Sequence, residues 1–391
     1  MGLFSSLFGG KKAAEPTPEV NEDEAPGVSL EELREALDSR EGALRVDAAR
    51  ALLERWRGGD AQAAEAIAPR LAELLDDREP LVRLAAISGV RLLRKPENLE
   101  KCTSGTLALL ADGDAQVRTA AVWAAIRLPG KAPRQQVRAL LASTEEPMRF
   151  AAACALSDAR DAAALPELTA ALQDDHRRQE ALSALMSLGD AAALPAIGQL
   201  FEEESLGHFD RTLVAAALAR FGDARGKAHL VERIEHDSDD RPIAAEWAGR
   251  LGVQEASEAL LALAGEEGDP ARGAALRALG RLGAPGAGER LAAVAGDAEA
   301  ADDLRMDAAE GLAELGAPDG VALLHKLAAE PPSDLSQLCR ELLAEVAANE
   351  AAAASAAASA VSPAAVSAAE AAVAAAGPAD AAAAGAKPPE S

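Results

Sequence analysis

Apolar positions along this chain fall into two helical registers that alternate, and an arginine opens every second one: Arg45, Arg83, Arg118, Arg149, Arg178, Arg211, Arg241, Arg272 and Arg305. Counted from each arginine, the third position is alanine in eight of nine copies (Ala48, Ala86, Ala121, Ala152, Ala181, Ala244, Ala275, Ala308) and Val214 in the other. The seventh is Leu52, Val90, Ala125, Leu156, Leu185, Leu218, Ala248, Leu279 or Leu312, and the tenth in the last five copies is Leu188, Phe221, Leu251, Leu282 or Leu315. Positions 3, 7 and 10 share one face of an α-helix, so the spacing predicts a helix of about three turns with a buried stripe behind each arginine. Glycine follows at position 11 in the same five copies (Gly189, Gly222, Gly252, Gly283, Gly316). A left-handed residue there ends a helix without a Cβ clash.

Upstream of each arginine a second amphipathic stretch is predicted, as in Leu165, Leu168 and Leu172, or Leu194, Ile197 and Leu200, or Val321, Leu324 and Leu327. A short acidic turn separates the two helices: Asp76 and Asp77, Asp112 and Asp114, Glu145 and Glu146, Asp174 and Asp175, Asp237 and Asp239, Asp269. Carboxylates at a helix N-terminus accept orphan N–H groups and oppose the positive end of the dipole. They are also placed to pair with the arginines from unit to unit. The arginines stand 29 to 38 residues apart, the length of one helix-turn-helix unit, so an array of stacked units is expected. Recurrence in every unit marks them as a structural ladder, because a binding site usually draws on only a few units.

The acidic turn, the Val-Arg opening with alanine three residues on (Val82-Arg83 to Ala86, Val117-Arg118 to Ala121) and the Leu188-Gly189-Asp190 ending resemble the HEAT repeat, closest to the short HEAT-like repeats of the phycobilin-lyase type. The resemblance covers about Ser29 to Ala347. It implies an all-α fold, an α-α superhelix or solenoid of about ten armadillo-like helical repeats, in which turn aspartates and second-helix arginines tie neighbours together and the second helices line the concave side. The tenth unit departs from it, with Ser336 in place of the arginine and Cys339 in place of the alanine, as a terminal cap does. The first four units lack the closing glycine.

Composition changes sharply at both ends. Residues 1–12 form a terminal peptide in which Leu3, Phe4, Leu7 and Phe8 would share one helical face, suited to a partner groove or, through residues 2–10, a membrane surface. Residues 13–28 read as a flexible acidic linker with Pro16, Pro18 and Pro26. The solenoid is expected over 29–349. A low-complexity tail follows over 350–391, and from Ala351 onward 23 of its 41 residues are alanine, interrupted by Pro363, Gly377 and Pro378. Both termini are expected to be disordered. With 2% aromatic residues and no tyrosine, the core must be built from leucine, alanine and valine.

The formal charge is −25, and about −19 of it falls on the repeats, which argues against nucleic acid as a partner. Against that background a second set of arginines occupies position 9 after the ladder residue: Arg127, Arg220, Arg250 and Arg281. Position 5 holds Arg50, Trp123, Glu246 or Arg277 in the first, third, seventh and eighth units. Positions 5 and 9 are neighbours on a helix, roughly opposite the core stripe, so an exposed, broken positive stripe is expected, suited to an acidic segment of another protein. The alternative is an ordinary solvated face balanced by acids such as Glu54 and Glu314. Trp123, Arg127, Arg220, Arg250, Arg277 and Arg281 are the candidate partner-binding residues.

Chemistry beyond binding finds no support in the residues. Five dispersed histidines offer no metal spacing, and the His-Glu pairs of the HEAT-like metal hydroxylases are absent. The run Gly283-Ala-Pro-Gly286-Ala-Gly288 lacks the lysine of a phosphate loop. Cys102, Cys154 and Cys339 are isolated, which points to a reducing compartment, and no long apolar signal or membrane span is present. No catalytic, cofactor or metal residue is assigned. The expected role is a non-enzymatic protein-interaction scaffold or adaptor in the cytoplasm, peripheral at the membrane if the terminal peptide meets lipid. A phycobilin-lyase-like enzyme or chaperone is the alternative implied by the resemblance.

Overall fold

A computed structural model describes residues 28–360 apart from residue 237, so the terminal docking peptide with Leu3, Phe4, Leu7 and Phe8 lies outside the described residues. Among the described residues every regular element is helical, and ten helix pairs follow one another, from Leu30–Leu37 with Gly42–Arg57 to Pro318–Ala328 with Asp334–Ala360. The first helix opens on a capping box: the Ser29 hydroxyl accepts the Glu32 N–H at 3.2 Å, and Glu32 accepts the Ser29 N–H at 2.7 Å. The helices form two compact units, residues up to Asp240 and residues from Arg241. The division falls in the turn between Ala224–Glu235 and Arg241–Leu251, inside the array that the repeat pattern alone treats as one.

Position 3 behind the ladder arginine is at most 1% exposed in all nine repeats, and so is position 7. Alanine at the third position places almost no side chain between adjacent helices, which lets their backbones approach. The second unit carries this furthest. A Cβ built on Gly280 would stand 2.2 Å from the Gly311 carbonyl oxygen, so Arg272–Leu282 and Asp302–Leu315 meet nearly backbone to backbone. Position 10 is a rim: Leu188 and Leu282 are buried, while Phe221, Leu251 and Leu315 are half-buried.

The five glycines at position 11 all adopt the left-handed conformation, with φ between 60° and 80°. In the fourth repeat the same position is Arg160, which takes φ 52° although it carries a Cβ. The aspartates that follow, Asp161, Asp190 and Asp223, each accept a backbone N–H two residues on and so cap the next first helix. Two signals therefore sit side by side, one ending a repeat and one starting the next.

One set of boundaries differs from expectation. The arginine is the first helical residue in Arg178–Leu188, Arg241–Leu251 and Arg272–Leu282 but the fourth in Pro80–Val90, Ala115–Ala125 and Glu146–Asp158. There Pro80, the Asp114 cap and Pro147 start the helix a turn earlier. At the other end the final helix continues into the alanine-rich stretch as far as Ala360, since alanine has the highest intrinsic helix propensity.

Candidate partner-binding face

Each ladder arginine lies where one helix pair meets the next, and its guanidinium serves two kinds of acceptor. Backward, Arg45, Arg83, Arg118 and Arg149 donate to the carbonyls of Ser39, Asp77, Asp112 and Ser143, each six residues upstream, at 2.8 to 2.9 Å. These are oxygens of the preceding turn that no helix satisfies. Forward, Arg45 grips Asp77 and Arg83 grips Asp112, each through two parallel bonds of 2.7 and 2.8 Å, and Arg118 reaches Glu145 at 2.7 Å. Burial would raise the Asp77 and Asp112 carboxyls, but the arginines and the backbone N–H groups of Glu79 and Asp114 outweigh it and hold both below the usual carboxylate range. Arg178 pairs with Asp210 at 2.8 Å, and Arg241 with Asp269 and Glu266 at 2.5 and 2.8 Å.

The ladder is not uniform. Arg149 meets Glu167 only at 3.4 Å. Arg211 donates to the carbonyls of Phe201, Glu203 and Leu206 and lies over the Phe201 ring, while Asp240 in the next turn is held by Arg233 and Thr212. Arg272 and Arg305 bond the carbonyls of Ala264 and Ala295, and the nearest carboxylates to Arg305 lie at 3.7 and 4.0 Å. In the tenth repeat, Arg340 does what the missing arginine does elsewhere, donating to the Ala328 carbonyl and to Ser336. The sequence register misses it because it lies one turn further along the helix.

Exposure at positions 5 and 9 varies along the array. In the fourth, fifth and sixth repeats position 5 is Cys154, Ser183 and Ala216, and none is more than 3% exposed. These short side chains let neighbouring helices close over the face. Arg127 and Arg220 are exposed and Trp123 is half-buried, in the unit that ends at Asp240. In the other unit the arginines are not free. Glu246, itself buried, accepts from Arg250 at 2.8 Å and from Arg281 at 2.6 Å, with Arg277 at 3.7 Å. Arg277 also pairs with Asp307, and Arg281 stands 3.6 Å from Glu314. Burial works against the Glu246 charge, yet Arg281 and Arg250 overcome it and lower its pKa; at Asp307 burial wins over Arg277 and the pKa is raised. The i,i+4 spacing of Glu246 and Arg250 was visible in the sequence. The partners 31 and 35 residues on, Arg277 and Arg281, were not.

Beyond this network lies a groove of about 330 Å³ among the second helices of the last three repeats. Arg277, Arg281, Glu310, Glu314, Glu341 and Glu345 line it, and Leu338, Leu342 and Val346 supply apolar surface. The four glutamates occupy positions 5 and 9 of the ninth and tenth repeats, in the same register as the arginines of the eighth. Since those arginines already face Glu246 and Asp307, the groove presents carboxylates beside apolar side chains.

The remaining candidates are structural. Trp247 is fully buried, and His229 packs edge-on against Phe201 with ring centres 5.5 Å apart, where burial lowers its pKa. Cys102, Cys154 and Cys339 are unpaired and buried, and burial pushes their thiol pKa values up. Among the described residues no group of three or more His, Cys, Asp or Glu is placed to hold a metal ion. No described helix is long and apolar enough to cross a membrane.

A family model for HEAT repeats matches residues 103–186, so the chain carries HEAT repeats over that stretch. No curated protein matches. Similar solved structures include human deoxyhypusine hydroxylase in complex with glycerol, at 21% identity over 63% of this chain and 96% of that one, with a TM-score of 0.27. Computationally designed armadillo repeat proteins for modular peptide recognition are 21% identical over 49% of this chain and 100% of theirs, with a TM-score of 0.35. The complex of CpcE and CpcF of phycocyanin lyase from Nostoc sp. PCC7120 is 20% identical over 84% and 98%, with a TM-score of 0.30.

Proposed function

We propose that this protein is a non-enzymatic scaffold that holds a segment of a partner protein against the second helices of its repeats. The groove at the last three repeats carries this reading: it combines an apolar strip with four glutamates in register, beside two arginines that the Glu246 network already engages. A segment with basic side chains flanking apolar ones fits it. An acidic segment finds its contacts instead at Arg127 and Arg220, the exposed position-9 arginines of the other unit. Three buried, high-pKa thiols support a non-catalytic role and a reducing, cytoplasmic setting.

Affinity capture from extracts of the source cells, quantified by mass spectrometry, tests the assignment. Glu341→Lys with Glu345→Lys should lose the groove partner while Arg127→Glu with Arg220→Glu retains it. Capture unchanged by both pairs of substitutions would remove the second-helix face from the function.

A further inference from the structure

The first repeat carries a groove that the partner-binding reading does not use. It is open, about 680 Å³ in volume, and mostly apolar, lined by Val28, Leu33, Ala36, Leu44, Ala48 and Ala51. Val28 is 59% exposed and Leu44 46%, which makes them the two most exposed large apolar side chains among the described residues. Asp47 and Glu54 flank it, and the one arginine beside them, Arg55, is held by Asp60 at 2.8 Å. The rim is therefore acidic.

We propose that this groove is the docking site of the chain's own residues 2–12, which bind as a helix with Leu3, Phe4, Leu7 and Phe8 inward and Lys11 and Lys12 toward Asp47 and Glu54. Position, length and charge argue for this occupant. The chain outside the structure enters at Val28, which itself lines the groove. Residues 13–27 span at most about 50 Å, enough to turn back over one helix pair. As a helix, residues 2–12 measure about 16 Å, and the wall from Leu44 to Arg55 about 17 Å. Two phenylalanines and two leucines match a strip of leucine, valine and alanine, and two lysines match two carboxylates. Because a tether of this length supplies an effective concentration on the order of 1 mM, any docking with a Kd below about 1 mM keeps the groove more than half occupied. A segment seated there is withheld from any other surface.

The test uses the full chain. Gly10→Cys introduces one accessible thiol for a nitroxide, since Cys102, Cys154 and Cys339 are buried. Methyl signals of Leu33 and Leu44 are then compared with the label oxidised and reduced. Docking predicts loss of about half or more of their intensity, because the tether keeps the site mostly occupied. Adding Phe4→Ser with Phe8→Ser should restore most of it at both residues, and separately Leu44→Asp should restore it at Leu33, while the thermal melt stays in place. No loss, or a loss that the serine pair leaves unchanged, overturns the proposal. Loss that appears only when nitroxide-bearing chains are mixed with isotope-labelled ones would assign the groove to a second copy and overturn the intramolecular contact.

Discussion

Arg83 and Asp112 face each other across 29 residues of sequence, with Nε and Nη2 of the one on the two carboxylate oxygens of the other at 2.8 and 2.7 Å. Both side chains are largely buried, at 14% and 7% exposure. The same arginine donates Nη1 to the Asp77 carbonyl, and Asp77 in turn is gripped by Arg45. Three consecutive repeats are thus joined through one chain of charge-assisted bonds.

Removing one partner strands the other. Arg83→Ala should cost about 2 kcal/mol after allowance for solvent at the edge of the pair. Arg149→Ala should cost less, because its carboxylate contact is a single one at 3.4 Å. Thermal melting of the two variants checks the order; equal losses would mean that the carbonyl bonds, common to both, carry the ladder.

Arg160 occupies a left-handed conformation that glycine holds in the later repeats. Arg160→Gly should stabilise the protein by about 0.5–1 kcal/mol, the relief of that conformation less the added freedom of the unfolded chain. Gly189→Ala should cost a similar amount, and for backbone reasons alone, since nothing lies within 4 Å of the added Cβ. Denaturant midpoints of the two variants should move in opposite directions.

Glu246 is the anion that lets three arginines converge. Glu246→Gln should lower stability by about 2 kcal/mol, because Arg250 and Arg281 keep only a neutral amide oxygen and lose the shared negative charge that balances them in a buried setting. Replacing Glu314, which is exposed and 3.6 Å from Arg281, should change the melt by less than about 0.5 kcal/mol.

The acid limb of stability should report the ladder. Asp77 and Asp112 have folded pKa values below the unfolded one, so their contribution is complete above the ordinary carboxylate value of about 3.9 and is lost as pH falls through the folded value. Wild type should exceed Asp77→Asn by a constant margin from neutral pH down to about pH 4, and the margin should shrink below that. A margin that grows on acidification would contradict the assigned sign.

Positions 3, 7 and 11 behind each arginine were readable in the sequence because they depend on one helix and the surface it buries. All nine alanine or valine positions and all nine at position 7 are core, and the five glycines are left-handed. Arg160 escaped notice because nothing in its chemistry announces a left-handed turn. Arg340 escaped because the register was counted from Ser336. The positive stripe was read from positions 5 and 9 on single helices, and there the reading met its limit. Whether Arg281 is a free cation depends on Glu246, 35 residues away, and on how closely Gly249 and Ala278 let their helices approach.

Local periodicity, caps and helix-ending glycines are short-range, so the order of bases and apolar residues along the chain was enough to specify helix pairs, their count and their buried faces. Which acid each arginine meets, where the array divides into two units, and which parts of the second-helix face stay open are set by distances between residues 20 to 40 positions apart. Those distances follow from side-chain volumes packed against one another, and only the folded arrangement decides them.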